Sequence, residues 1–262
     1  MKFTLITGAS SGIGAMYARQ SALAGQNLIL VSNQSQQLEQ VAAEVRSLCN
    51  VEVKCIDIDL SAADAAEQIY NKTKEWGEVD TLISNAGVLH FGKFLNTTDT
   101  YIDFITALHY TTPMKLCRLF GQDMAAKGEG KILIMCSMTA WTPFPTMSLY
   151  GSTKVALKSF AQSLWYEMRE KGVSVTTVFP GAVDTPLYNL SDSKRRLFRA
   201  LGVMSSAQSV AKKGLRAMNR RRRRVIPGLF TKFVVAICAV LPAVVLLPVM
   251  KIPAIRRILD RL

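Results

Sequence analysis

An apolar run from Phe3 to Thr7 stops at Gly8-x-x-x-Gly12-x-Gly14, and a stretch of helical length follows it. Short apolar runs then keep alternating with amphipathic or polar stretches. Leu28 to Val31, Val51 to Ile58, Thr81 to Ser84, Lys131 to Cys136 and Val173 to Phe179 read as strands; Ser35 to Cys49, Ala62 to Trp76, Tyr101 to Ala126 and Tyr150 to Glu170 read as helices. Strands that are apolar throughout, separated by helices, belong to a parallel sheet covered on both faces. The expected fold is therefore α/β, a doubly wound parallel sheet of the Rossmann type, with ligands beyond the carboxyl ends of the strands where their order reverses. No internal repeat is evident.

The 262 residues, 49% of them hydrophobic, suffice for one large core, and a single domain is expected. The main body is read as residues 1–190, with residues 191–262 forming a lid and a basic, apolar helical extension. The glycine motif begins at once after Met1 to Ile6, which leaves no room for a cleavable leader, so a cytoplasmic body is expected. Five cysteines, Cys49, Cys55, Cys117, Cys136 and Cys238, show no C-x-x-C or metal-ligand spacing. They read as reduced thiols, with neither a disulfide framework nor a metal site. The formal charge of +13 is uneven: residues 191–262 hold 17 Lys and Arg against 2 Asp and Glu, a net of +15, which leaves −2 for the rest.

Tyr150 and Lys154 are four residues apart within an expected helix and so share a face. An unperturbed phenol titrates near ~10, and a fixed cation nearby lowers that value. The pair is suited to exchange a proton with a carbonyl or an alcohol. The turn of Gly8, Gly12 and Gly14 brings backbone amides and a helix start close together, as a pyrophosphate requires. An ordinary strand-to-helix turn would show the same glycines, and it is the wider context that separates the two.

The ordered set T-G-x-x-x-G-I-G from Thr7, Asn85-Ala86-Gly87, Ser137, Tyr150-x-x-x-Lys154 and Pro180-Gly181 resembles the short-chain dehydrogenase/reductase family over residues 1 to 190, with Ser137 and Tyr150 separated by 13 positions. The resemblance implies a nicotinamide-dependent oxidoreductase in which Ser137 holds the substrate oxygen, Tyr150 is the acid-base group and Lys154 supports it. It implies cofactor contacts at Ser10, Ile13, Asp59, Leu60, Asn85, Tyr150 and Lys154, along the Ala86 and Gly87 turn, and in the loop of Pro180, Gly181, Val183 and Thr185. Several have a plainer reading: Leu60 as core, Asp59 as the cap of the helix after Ser61, Ser137 as a turn cap. Where family members with NAD(H) carry an aspartate and those with NADP(H) an arginine, this chain has Ser32 and Asn33. Without a carboxylate to repel a phosphate, NADP(H) is favoured over NAD(H).

One position departs from the family. The asparagine that supports a proton-relay water falls at His109 in Ala107-Leu108-His109-Tyr110. A histidine can hydrogen-bond and exchange protons near neutrality, so a relay through His109 and a tolerated substitution both stand open. Trp141, Pro143, Phe144 and Met147 read either as an apolar pocket wall or as loop packing, and Tyr188 to Leu201 as a lid.

Arg220 to Arg224 is an unbroken basic run, and Phe233 to Met250 contains no charge. That length raises the question of a span of roughly 17 to 25 residues, but Pro242 and Pro248 disturb a helix and basic residues flank both sides. The expectation is two short helices broken near Pro242 that contact an anionic membrane from one side, peripheral or monotopic; a lid or dimerisation element and a true span are the alternatives. The function expected is interconversion of a carbonyl and an alcohol on an apolar, lipid-like substrate such as a long-chain 3-oxoacyl group, sterol or retinoid, by a homodimer or homotetramer. A nucleotide sensor or scaffold with little turnover is the competing reading. Nucleic-acid binding is set aside, because the basic run lacks interleaved aromatic residues.

Overall fold

The computed structural model describes residues 1–89, 91–185, 203–240, 247–248 and 251–252. Among these, seven strands form one parallel sheet: β1 (Lys2–Thr7), β2 (Asn27–Ser32), β3 (Val53–Asp57), β4 (Glu78–Ser84), β5 (Gly130–Met135), β6 (Val173–Val178) and, at the edge, β9 (Arg224–Val225). Their spatial order is 3-2-1-4-5-6-9. A second, two-stranded parallel sheet pairs β7 (Ala182–Asp184) with β8 (Met204–Ser206). The expected strand boundaries lie within three residues of the observed ones. The doubly wound class is as the alternating pattern required.

Two apolar cores, one per face, explain why the strands are apolar throughout. Leu5, Ile29, Leu82, Ile132 and Ile134 pack with Ile69 of α3 (Ala65–Lys74), Phe120 of α5 (Thr112–Lys127) and Leu157 of α6 (Ser148–Arg169). On the other face Ile6, Leu28, Leu30, Ile83 and Leu133 meet Tyr17 of α1 (Gly12–Leu23), Val41 of α2 (Ser35–Leu48) and Val210 of α7 (Ala207–Asn219). Adjacent residues along a strand thus feed opposite layers. Residues 207–225, within the stretch read as an extension, contribute a packed helix and a sheet edge: Gln20 of α1 donates to the Gln208 carbonyl at 3.0 Å.

The expected helix over Tyr101 to Ala126 is interrupted. It consists of α4 (Asp99–Thr106), a π turn at Ala107–Thr111 and then α5. Pro113 lies in the first turn of α5; lacking an N–H, it cannot donate to the carbonyl four residues back, that of His109, and a wider turn makes room for its ring. The Thr112 N–H reaches the Ala107 carbonyl across that turn. In the last described stretch α8 (Leu229–Cys238) buries Thr231, Val235 and Cys238. The expected lid at Tyr188 to Leu201 and the break near Pro242 lie outside the described residues. Among the described residues, no helix is long and apolar enough to cross a membrane.

Candidate active site

Strand order reverses between β1 and β4, and the two strand ends are tied there. Thr7 Oγ1 accepts from the Asn85 and Ala86 amides at 2.9 and 3.1 Å, and the Asn85 side-chain amide donates to the Thr7 carbonyl at 3.0 Å. Gly8 sits at φ +64°, and a Cβ on Gly14 would collide with the Gly8 carbonyl, so this turn admits no side chain at either position. Ser11, the residue before α1, makes no side-chain cap, and the first turn of α1 holds no acid. The helix start therefore faces the cleft with unsatisfied amides.

The cleft, about 320 Å³, is lined by Gly8, Gly12, Ile13, Ser32, Asn33, Asp59, Leu60, Asn85, Ala86, Gly87 and Thr185, and also by Ser11 and Gln34. Of the expected cofactor residues, Ser10 and Gly14 stand behind it. The Ser10 hydroxyl accepts from Ser32 Oγ at 2.9 Å. Asp59 lines the cleft and accepts from the Ser61 amide at 2.9 Å; that bond closes a turn and caps no helix, since α3 starts at Ala65. Leu60 likewise lines the cleft while 6% exposed in the core. Ser11 was missed because it has only a backbone role, for which a side chain gives no signal.

A second pocket of about 300 Å³ adjoins the first, and Ile13, Asn85, Gly87, Val88 and Thr185 line both. Its walls include Ser137, Tyr150, Lys154, Pro180, Gly181 and Val183, so the expected chemical residues come together at the end of the expected cofactor cleft. Phe144 and Met147 also line it, whereas Trp141 turns away and packs on Phe179 at 4.3 Å between ring centroids. Ser137 caps a short turn as well, accepting from the Thr139 amide at 3.2 Å. Thr185 is buried, with its hydroxyl 3.4 Å from the Val183 carbonyl.

Lys154 is 4% exposed, its ammonium 5.6 Å from the centre of the Tyr150 ring. Burial holds its pKa below the ordinary lysine range. Among the described residues no carboxylate pairs with it and no hydrogen bond satisfies it, so the cation is set for a ligand's acceptors. With the glycine cradle and the bare helix start, this cation on the pocket wall fits a nicotinamide dinucleotide. The neighbouring Cys136 thiol is pushed up to about 11 by burial and is no nucleophile.

His109 lines neither pocket. Its Nε2 accepts from the Val88 amide at 2.9 Å, its Nδ1 lies 3.1 Å from Thr153 Oγ1, and that hydroxyl donates to the Tyr150 carbonyl at 2.8 Å. The partners require a neutral ring with the proton on Nδ1. Burial first, then the Lys154 cation, hold the imidazole well below its usual pKa. Gly87 leaves it room, since a Cβ there would stand 3.1 Å from Nε2.

The sequence profile of the short chain dehydrogenases matches residues 2–196. This chain belongs to that family. It is 31% identical to the human very-long-chain 3-oxoacyl-CoA reductase over 71% of its own length and 61% of the relative's. It is 31% identical to the YmfI oxidoreductase of Bacillus subtilis over 72% and 77%. Against the EphD oxidoreductase of Mycobacterium tuberculosis the same 31% identity spans 69% of this chain but 31% of the longer relative. A short-chain dehydrogenase of Sphingobium yanoikuyae, solved in complex with NADPH, superposes with a TM-score of 0.79, at 29% identity, over 87% of this chain and 89% of that one. The chain spans about a third to three fifths of the length of several of its curated relatives, and the family it belongs to uses NAD(P)(H).

Proposed function

We propose that this short-chain dehydrogenase interconverts a carbonyl and an alcohol on an apolar, lipid-like substrate with NADP(H) as its preferred cofactor. The observation that carries the reading is the placement of Ser137, Tyr150 and Lys154 on one pocket walled by Phe91, Met138, Phe144 and Met147 and open to the glycine cleft. When bound, the nicotinamide supplies or takes up the hydride. The protein's part is acid-base and electrostatic: Ser137 orients the substrate oxygen, Tyr150 gives that oxygen its proton or removes it, and the Lys154 cation stabilises negative charge as it develops on the phenol. The similarity to a long-chain 3-oxoacyl-CoA reductase supports the lipid-like substrate, as do the pocket's apolar walls.

The test measures cofactor oxidation across carbonyls of rising chain length, with NADPH and NADH compared. Tyr150→Phe is expected to lower turnover by about 10² to 10⁴-fold while leaving cofactor affinity unchanged. A variant as active as the parent would favour the nucleotide-sensor reading, which His109 alone motivates.

His109 fits this function as a positioning residue more than as a relay, because both ring nitrogens are engaged and the ring is neutral. It couples Val88, after β4, to Thr153 in the second turn of α6. The enzyme is further proposed to act peripherally at an anionic membrane surface through its basic C-terminal region, and to assemble as a homodimer or homotetramer. Val155 and Tyr166, 46% and 59% exposed on α6, support an assembly face. Equilibrium sedimentation at micromolar concentration is expected to give a dimer or larger; a monomer refutes the assembly.

A further inference from the structure

Away from the active site, a cleft of about 360 Å³ opens between α7 and α8. Its walls carry Lys213 and Arg216 of α7, Arg220 and Arg222 of the link into β9, and Lys232 of α8. All five residues are exposed, and among the described residues none has a carboxylate partner. The carboxyl end of α7 presents the equivalent of only about half a negative charge. Five cations around one cavity thus leave a strong positive field with no carboxylate partner among the described residues to balance it.

The fold holds this cluster at some cost. Arg221, at the turn where the link leaves α7, has φ +51°, a left-handed conformation that a helix end normally gives to glycine or asparagine. Beside the cleft, α8 turns Leu229, Phe230 and Phe233 outward at 83%, 45% and 64% exposure. Its inner face bears on the substrate pocket, where Thr231 packs so tightly on Gly181 that a Cβ there would collide with it. One short helix therefore separates a cation-lined cleft from the apolar pocket and shows a bare apolar surface between them.

We propose that this cleft is a binding site for the phosphate headgroup of an anionic phospholipid, with Leu229, Phe230 and Phe233 entering the adjoining acyl region. The proposal rests on the reading that the enzyme works at an anionic membrane, and it assigns that contact to named residues. Phosphate is the anion that clustered Arg and Lys hold best, and an apolar rim beside it matches an interface where headgroup meets acyl chain. A second copy of this chain is a poorer occupant, because a two-fold contact would set the five cations against five more.

The test is flotation of the full chain with vesicles of phosphatidylcholine alone or with 30% phosphatidic acid added (roughly one charged lipid in three, chosen for a strong surface potential). Binding is expected only with phosphatidic acid, and Arg216→Gln/Arg220→Gln/Arg222→Gln is expected to weaken it about 100-fold, at ~1 kcal/mol per charge. Phe230→Ser/Phe233→Ser should also weaken it, while Lys72→Gln/Lys74→Gln on α3 should not. Reduction of a short soluble ketone serves as the folding control and should be unchanged in the cleft variants. If a cleft variant loses that reduction too, the Phe230→Ser/Phe233→Ser protein decides. Parent binding that survives the cleft substitutions overturns the site but not the membrane reading; no binding of the parent to any anionic vesicle overturns both. Inorganic pyrophosphate that binds the cleft while vesicles do not would overturn the lipid assignment, as would a dimer that Phe233→Ser dissolves.

Discussion

Lys154 is the residue where stability and the proposed function conflict. A cation buried without a carboxylate or hydrogen-bond partner destabilises the protein that holds it, and such a group persists when a ligand uses it. Lys154→Met is therefore expected to leave the thermal midpoint of the cofactor-free protein unchanged or higher while turnover falls by at least ~10²-fold; scanning calorimetry beside a rate assay reads both. A midpoint several degrees lower would show that the ammonium has a partner. The shared placement of Lys154 and Tyr150 was legible from their spacing, because four residues along a helix fix a shared face. The surroundings of His109 were not legible. Its two partners, Val88 and Thr153, come from 21 and 44 positions away, and no local pattern encodes such a meeting.

At the scale of elements, the carboxyl end of β2 is where the proposed cofactor preference can be tested. Ser32 is held by two bonds, one to Ser10 Oγ and one from the Gln34 amide at 3.2 Å, while Asn33 is exposed at the cleft. Among the described residues no Lys or Arg lines that cleft, and Asp59 is its one carboxylate. Preference should accordingly be adjustable. Asn33→Arg is expected to raise the NADPH-to-NADH ratio of kcat/KM by about 10-fold or more through pairing with a phosphate, and Ser32→Asp to reverse it. Insensitivity of the ratio to both would mean that the adenosine end binds elsewhere. Strands and helices near this site were readable because an apolar run buried on both faces has few other fates. The short β9 was hidden, since Arg224 and Val225 enter the sheet at the end of a basic run that reads as solvated surface.

Over the whole molecule, the buried His109 links folding to proton concentration. Its folded pKa lies well below the unfolded value near ~6.5. Between those two values the unfolded chain binds more protons than the folded one, so stability falls as pH drops below ~6.5 and is independent of this group above that point. The thermal midpoint is expected to decline from pH 7 to 5, and His109→Asn, which cannot charge, to flatten that decline. An equal slope in both proteins would place the responsible group elsewhere.

The π turn at Ala107–Thr111 has a further consequence. It inserts the equivalent of one residue into an otherwise continuous helical stretch, and one residue rotates a helix by about 100°. A relative whose corresponding stretch is a plain α-helix must therefore be one residue shorter between the start of α4 at Asp99 and Pro113, or must present a different face of α4. The deletion of a single amino acid here is expected to turn the π turn into plain α-helix and to leave the face presented by α4 unchanged.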